Sequence, residues 1–362
     1  MINYFKVGVN FDPKLISLFD ELNQKYEGKS KIAEVYGSTR GASVLAARPD
    51  FRLPDISAEE YENYIKELDK VGIKFNYTLN SIFPYGSKME FVKHKSAIKD
   101  FISYLEDVGT YRITVANPIL LELIKREIPT TMKIELSTIA HIDAVTQIKY
   151  YHETYGVDKI CNNLIKNRDF EFLKAASEYC NRNGIILELM ANEFCGVGGS
   201  DYATHCVYRD SCYMCHMANK TLEDANAFNE YPMLLCSQSR NRNPANWLRL
   251  KWIRPEDIKY YNDIGINHFK ITGRTGSTEY IKRTIGSYMS NKFDGNLLNL
   301  WKPLESIKGE DEFGAFYKID NSLLDGFLNP WVKGHKCENE ICGETCNYCE
   351  RFYQNNIEKK GG

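Results

Sequence analysis

Nine of the eleven cysteines in this 362-residue chain fall into two groups, and the first 160 residues contain none. The first group is Cys195, Cys206, Cys215 and Cys236, with Cys212 as a fifth candidate, and the second is Cys337, Cys342, Cys346 and Cys349. Core packing would scatter small apolar thiols along the chain, so this distribution points to ligation. Thiolates at short spacing converge on one soft ion or on an iron–sulfur cluster, and the bound metal keeps each ligand deprotonated. The opening residues MINYFKVGVNFDPK show no basic stretch leading into an apolar run, so a cytoplasmic location is expected, where disulfides are disfavoured.

In the first group the intervals of eleven, nine and twenty-one residues suit neither a zinc ribbon nor a zinc finger. Five cysteines, with His205 and His216 among them, compete for four ligand places. A tetrahedral zinc accepts any mixture of these, whereas a 4Fe-4S cluster prefers four thiolates and leaves one iron open when substrate binds there. The second group ends in Cys342-x-x-x-Cys346-x-x-Cys349. That spacing matches a radical-SAM motif, but such enzymes carry it after the first strand. With Cys337 it makes a closed four-thiolate set for a second 4Fe-4S cluster or a structural zinc, with His335 as a substitute ligand.

Something must position these groups, and the apolar periodicity says what. Short β-rich runs are expected at Tyr4–Val9, Lys31–Tyr36, Ile73–Leu79, Tyr111–Ala116, Lys133–Leu136, Asp158–Cys161, Ile185–Met190 and His268–Thr272. Amphipathic helical stretches such as Ala58–Val71 and Phe170–Asn183 lie between most of them. Eight β/α units imply an α/β fold, a (β/α)8 TIM-like barrel, while the glycine-rich turn of a dinucleotide-binding sheet is missing after the first run. Residues 1–295 are assigned to the barrel, 191–266 to a cluster-bearing insertion after strand seven, and 296–362 to a cysteine-rich extension. No run approaches the roughly 18 apolar residues of a membrane span.

Reactive residues of such barrels stand at the C-terminal ends of the strands. Those ends offer Asn10, Ser38, Asn80, Asn117, His141, Asn162, Asn192, Glu193 and Arg274. Asn117 before Pro118 reads as a helix cap. Asn192 and Glu193 run straight into Cys195, so either side chain could touch both the barrel mouth and the first cysteine group. Arg274 is the first choice for clamping a substrate carboxylate and Arg209 the second, since a guanidinium offers two parallel bonds. The segment 240–254 carries five cations with Trp247 and Trp252 and no acid. It reads first as a strap that buries its tryptophans and leaves its charges in water, and second as a nucleic-acid surface. Cys161 and Cys180 read as core thiols, and the net charge of −2 implies no global pull toward anionic partners.

The motifs Asn192-Glu193-x-Cys195, Cys206-Val207-Tyr208-Arg209 and Trp252-Ile253-Arg254-Pro255-Glu256-Asp257, with Ile264 through Arg274 and Tyr280, resemble the peptidase U32 family. Val207 stands where the family generally has proline. The resemblance extends from about Tyr111 through Leu297 and into the tail. It implies a TIM-like barrel with a 4Fe-4S cluster on Cys195, Cys206, Cys215 and Cys236, and the leading expectation is oxygen-independent hydroxylation or a related modification of a small molecule, peptide or RNA base, with a partner protein possible. Glu193, Arg274 and Arg209 are the catalytic candidates by their places at the strand ends and in the loop. Two other functions stay open. One is a non-catalytic metal-stapled binding protein. The other is a peptidase, as the family name suggests, although no His-Glu-x-x-His helix or recognisable nucleophile with a nearby base supports it.

Overall fold

The computed structural model describes residues 1–41, 45–48, 53–82, 84–193, 195, 243–274, 276–301 and 318–358. Eight parallel strands close in sequence order: β1 Asn3–Gly8, β2 Ser30–Gly37, β3 Lys74–Leu79, β4 Arg112–Val115, β5 Lys133–Leu136, β6 Lys159–Cys161, β7 Ile186–Met190 and β8 His268–Ile271. The last strand pairs with the first through Tyr4↔His268 to Val7↔Ile271. This is the TIM-like barrel that the periodicity implies.

The helices follow from local chemistry. Among the described residues they are α1 Lys14–Lys25, α2 Ala58–Lys70, α3 Lys88–Lys93, α4 Lys95–Asp107, α5 Pro118–Glu127, α6 Val145–Tyr155, α7 Phe170–Arg182, α8 Asn246–Arg249, α9 Ile258–Asn262, α10 Thr278–Ser290, α11 Asn329–Val332 and α12 Tyr348–Phe352. In α2, Ser57 and Glu60 form a capping box, and Tyr61, Tyr64, Ile65 and Leu68 make one buried stripe at helical spacing. Asn117 caps α5 by accepting from the backbone of Ile119 and Leu120, with Pro118 at the first helical position, as its sequence context requires. Cys180 lies in the buried stripe of α7. Among the described residues no helix is long and apolar enough to cross a membrane.

Two parts of the fold differ from the expectation. The strap does bury its tryptophans, Trp247 stacking on Trp301 and Trp252 on Phe327 with ring centroids 5.7 Å apart in each case. The strap cations among the described residues, however, are not left in water. Arg249, Lys251 and Arg254 are all buried. Arg254 grips Asp257 with two bonds of 2.9 Å and donates to the Asn321 carbonyl at 2.7 Å. The cause is the tail, which closes over the strap: Phe327, Trp331 and Ile357 belong to the same apolar core as the barrel.

Candidate functional site

The C-terminal mouth is built from the ends of β1, β2, β3 and β8. Gly273 after β8 turns with φ of 136°, where an added Cβ would lie 2.6 Å from Tyr280. At the end of β1, a Cβ on Gly8 would come within 2.8 Å of the Arg274 nitrogen. These two close approaches seat Arg274 in the rim, as its place after Gly273 suggests. Its guanidinium, on a residue only 8% exposed, donates to Ser38 Oγ at 3.0 Å and to Thr78 Oγ1. Among the described residues no carboxylate pairs with it. Burial, and then the nearby positive charge of Arg48, bring its pKa down to about 10, so it remains a cation at neutral pH. The Lys270 ammonium lies 4.2 Å from the Tyr36 ring centroid, and burial pushes the Tyr36 hydroxyl above its usual range. Arg274, Arg48 and Lys270 thus bring three cations to one mouth, and the fields of Arg274, Arg48 and Glu193 all reach Tyr36.

Glu193 and Cys195 meet as their spacing suggests. Glu193 Oε1 accepts from the Cys195 backbone nitrogen at 3.2 Å, and Cys195 packs half-buried against Cys161, Leu164 and Met190. Asn192 works differently. Its amide donates to the carbonyls of Thr272 and Leu300 at 3.0 Å and to the Tyr280 hydroxyl at 3.1 Å, and its oxygen accepts from the Thr272 nitrogen at 2.6 Å. It is a brace across β7, β8 and the residues after α10, with its hydrogen-bonding capacity used up. Arg209, Cys206, Cys212, Cys215 and Cys236 lie outside the described residues.

Below the mouth lies a layer of charge that the sequence reading missed. Lys6 binds Glu135 and, at 2.7 Å, Glu188; Lys159 binds Glu34 at 2.9 Å and Glu188 at 2.7 Å; Arg112 binds Glu34 at 3.1 Å and Asp158. Burial acts against ionisation of Glu34, but Lys159, Arg112 and Lys6 outweigh it and hold the carboxyl at about 2. Glu135, Cys161 and Glu188 each bring one ligand atom within 4.8 Å of the others, a set that could hold a cation. Two lysines already occupy those carboxylates, and burial drives the Cys161 thiol up to about 12, so the layer reads as structural. The available signal was a charged residue within or at the start of a largely apolar run, as at Lys6 in β1, Glu34 in β2, Glu135 in β5, Lys159 in β6 and Glu188 in β7.

The tail cysteines converge beside the loop after β6 and the strap. Cys337 Sγ accepts from Trp331 Nε1 at 3.0 Å and from Lys251 Nζ at 3.4 Å. Burial would raise this thiol, yet Lys251, the Trp331 N–H and Arg168 together hold it below its ordinary value. Cys349 lies 3.9 Å from the Leu248 carbonyl, and burial pushes its thiol up to about 12, while the Cys337 and Cys342 charges act on it from nearby. The backbones of Cys342 and Cys346 form an isolated β-bridge while both thiols stay free, and His335 Nε2 stands 3.9 Å from Cys346 Sγ. Among the described residues, no three of these sulfurs share a 4.8 Å sphere.

No family model matches the chain. In sequence it is 26% identical over 301 residues to the uncharacterized protease MJ1657 of Methanocaldococcus jannaschii, covering 82% of this chain and 80% of that protein. Among solved structures, the U32 peptidase Mk0906 aligns with 14% identity and a TM-score of 0.47, over 75% of this chain and 94% of the other. The chain resembles the peptidase U32 family. An HpcH/HpaI aldolase from Desulfitobacterium hafniense DCB-2 aligns at 11% identity and a TM-score of 0.33, over 56% of this chain and 83% of the other.

In this chain the structure brings Glu193 to Cys195, Arg274 to the mouth, and the four tail cysteines near one another. Arg48, Lys270 and Arg168 were not singled out from the sequence. Arg48 lies in a loop and Arg168 in the short turn after β6 with no motif to mark them, while Lys270 lies inside the motif of residues 264–274 without being marked as a mouth cation.

Proposed function

We propose that this protein is an iron–sulfur enzyme that modifies a carboxylate- or phosphate-bearing small molecule, peptide or RNA base at the barrel mouth, by oxygen-independent hydroxylation or a related reaction. The supporting observation is Arg274: a buried guanidinium at the active face of the barrel, held by two hydroxyls and given no carboxylate among the described residues. A buried cation in that state is stabilised by an anion that arrives with the substrate. Arg48 and Lys270 add positive field, and Glu193 is placed beside Cys195 to hold or move a proton. A 4Fe-4S cluster on Cys195, Cys206, Cys215 and Cys236 would supply electron transfer or an open iron corner. In this reading residues 1–295 are the catalytic barrel, 191–266 its insertion and 296–362 an extension holding a second cluster or zinc.

The test is metal content. Protein purified without oxygen is expected to carry iron and acid-labile sulfide at about four or eight per chain, and Cys195→Ser to lose about four of each. Zinc without sulfide in both groups would leave a metal-stapled binding protein as the better reading. The protease name of the M. jannaschii relative motivates the remaining one, which requires peptide cleavage that survives complete removal of metal or depends on a metal-bound water.

A further inference from the structure

Two cations near the tail have no evident reason to be buried. Arg168, at the end of the short turn Leu164–Arg168 after β6, is 2% exposed. Its Nη1 donates to the Leu248 carbonyl at 2.8 Å, while Nε and Nη2 are buried without a hydrogen-bond partner among the described residues. The rings of Trp331, Trp252 and Phe327 lie 4.8, 4.9 and 5.0 Å from the guanidinium carbon. Lys251, 4% exposed, directs its ammonium at Cys337 Sγ, 3.4 Å away. Neither cation has a carboxylate partner among the described residues. Aromatic faces offset part of such a charge, but an isolated buried ion still costs several kcal/mol.

The field of Asp257 reaches Arg168, but both of its oxygens are already gripped by Arg254, so the remaining negative charge is assigned to the thiols. Cys349 approaches the same Leu248 carbonyl that Arg168 binds, and Cys337 touches both Lys251 and the Trp331 indole that flanks Arg168. One thiolate cannot balance two cations. Four thiolates around a zinc ion, or around an oxidised 4Fe-4S core, carry a net double negative charge and can.

We propose that Arg168 and Lys251 are the built-in counter-ions of a dianionic tetrathiolate metal centre on Cys337, Cys342, Cys346 and Cys349, and that loading this centre clamps the tail onto the loops after β6 and β7. The inference rests on the reading of these four cysteines as ligands. Arg168 belongs to the barrel and Lys251 to the strap, so the centre joins three segments far apart in the chain. Its two cations act as positioning and charge-balancing residues of the kind whose loss weakens metal sites tenfold to a hundredfold.

The experiment uses full-length protein purified without oxygen, with EDTA as competitor and iron, sulfide and zinc per chain followed in time. Cys349→Ser identifies the fraction of metal that belongs to the tail, and the presence or absence of sulfide tells a cluster from zinc. Lys251→Met and Arg168→Met are each expected to speed release of that fraction about tenfold or more, whereas Lys251→Arg should stay within about twofold of wild type. For a cluster, a tenfold weakening of the reduced form against the oxidised one lowers the midpoint potential by about 59 mV. If Arg168→Met fails to fold, Lys251→Met against Lys251→Arg decides alone. Unchanged release from the methionine variants, with Cys349→Ser still losing metal, overturns the counter-ion assignment only. A Cys349→Ser protein with its full metal overturns the ligand reading, and the counter-ions with it.

Discussion

The barrel interior and the barrel mouth are both rich in cations, and they treat them in opposite ways. Inside, Lys6, Lys159 and Arg112 are interleaved with Glu34, Glu135, Glu188 and Asp158, so that each charge has a partner of opposite sign. At the mouth, Arg274 is held by hydroxyls, and Lys270 lies over an aromatic ring. A closed network is complete before any ligand arrives and serves the fold. An open one keeps a desolvated charge in reserve, which is how a protein prepares to bind an anion. The tail repeats the open pattern with Arg168 and Lys251, there directed at thiols instead of a substrate.

The sharpest way to break this comparison is to remove one cation from each region. Lys159→Met strands Glu34 and Glu188 without their shared partner, and we expect a loss of about 3–5 kcal/mol in equilibrium denaturation. Arg274→Met removes a charge that no carboxylate opposes among the described residues, so stability without substrate should be unchanged or higher. If both variants lose stability alike, the two regions are not different in kind.

Next in size is the effect of Arg274→Lys on function. It keeps the charge and loses the paired geometry, so substrate binding or turnover should weaken by about 1–3 kcal/mol while iron content stays at the wild-type value. A drop in iron or in thermal stability, with no selective effect on substrate, would assign Arg274 to the fold and move the anion site to Arg209 or Arg48.

Asn192 sharpens the boundary between brace and site. Asn192→Ala leaves the Thr272 nitrogen and the Leu300 carbonyl without this partner, with an expected loss of about 1–2 kcal/mol in thermal or chemical denaturation. Metal content should not change. Loss of the loop cluster in a protein of normal stability would instead make Asn192 part of the site.

The gentlest probe is pH. Burial, with Lys159 adding to it, brings His268 down to about 4 from an ordinary value near 6.5, so as pH falls through that window the unfolded chain takes up a proton that the folded chain refuses. Glu34, held at about 2 by its cations against an ordinary 4.5, continues the same loss between those values. Both groups therefore stabilise the fold above their unfolded pKa and lose that contribution on acidification, each with a slope of at most about 1.4 kcal/mol per pH unit. His268→Phe should keep the stack on Tyr4 and remove the limb between pH 6.5 and 4. A wild-type slope in the variant would place the proton uptake elsewhere.

Much of the architecture was legible residue by residue. The expected Lys133–Leu136 is β5 without change, and the other strands differ by one residue at one end or both, because apolar runs, caps and turn residues act over a few positions and are written locally. Asn117 shows the same for a single cap. Asn192 did not reveal itself: an asparagine beside a cysteine motif looks like a site residue until Thr272 and Leu300 are brought to it. The strap was half legible, since its tryptophans had to be buried while the tail that covers Arg254 lies some 70 residues away in the chain.

By itself the sequence determined the barrel, through a repeating local pattern, and the existence of two thiol-rich segments, through composition that no core would require. Only the tertiary structure decided which charges are spent and which are held open. Lys6 and Glu135 are 129 positions apart and Arg274 and Ser38 are 236 apart, and whether a buried cation finds a carboxylate or a hydroxyl depends on which strand ends the closed barrel makes neighbours. Coulombic pairing acts through space between residues whose separation along the chain carries no information about it.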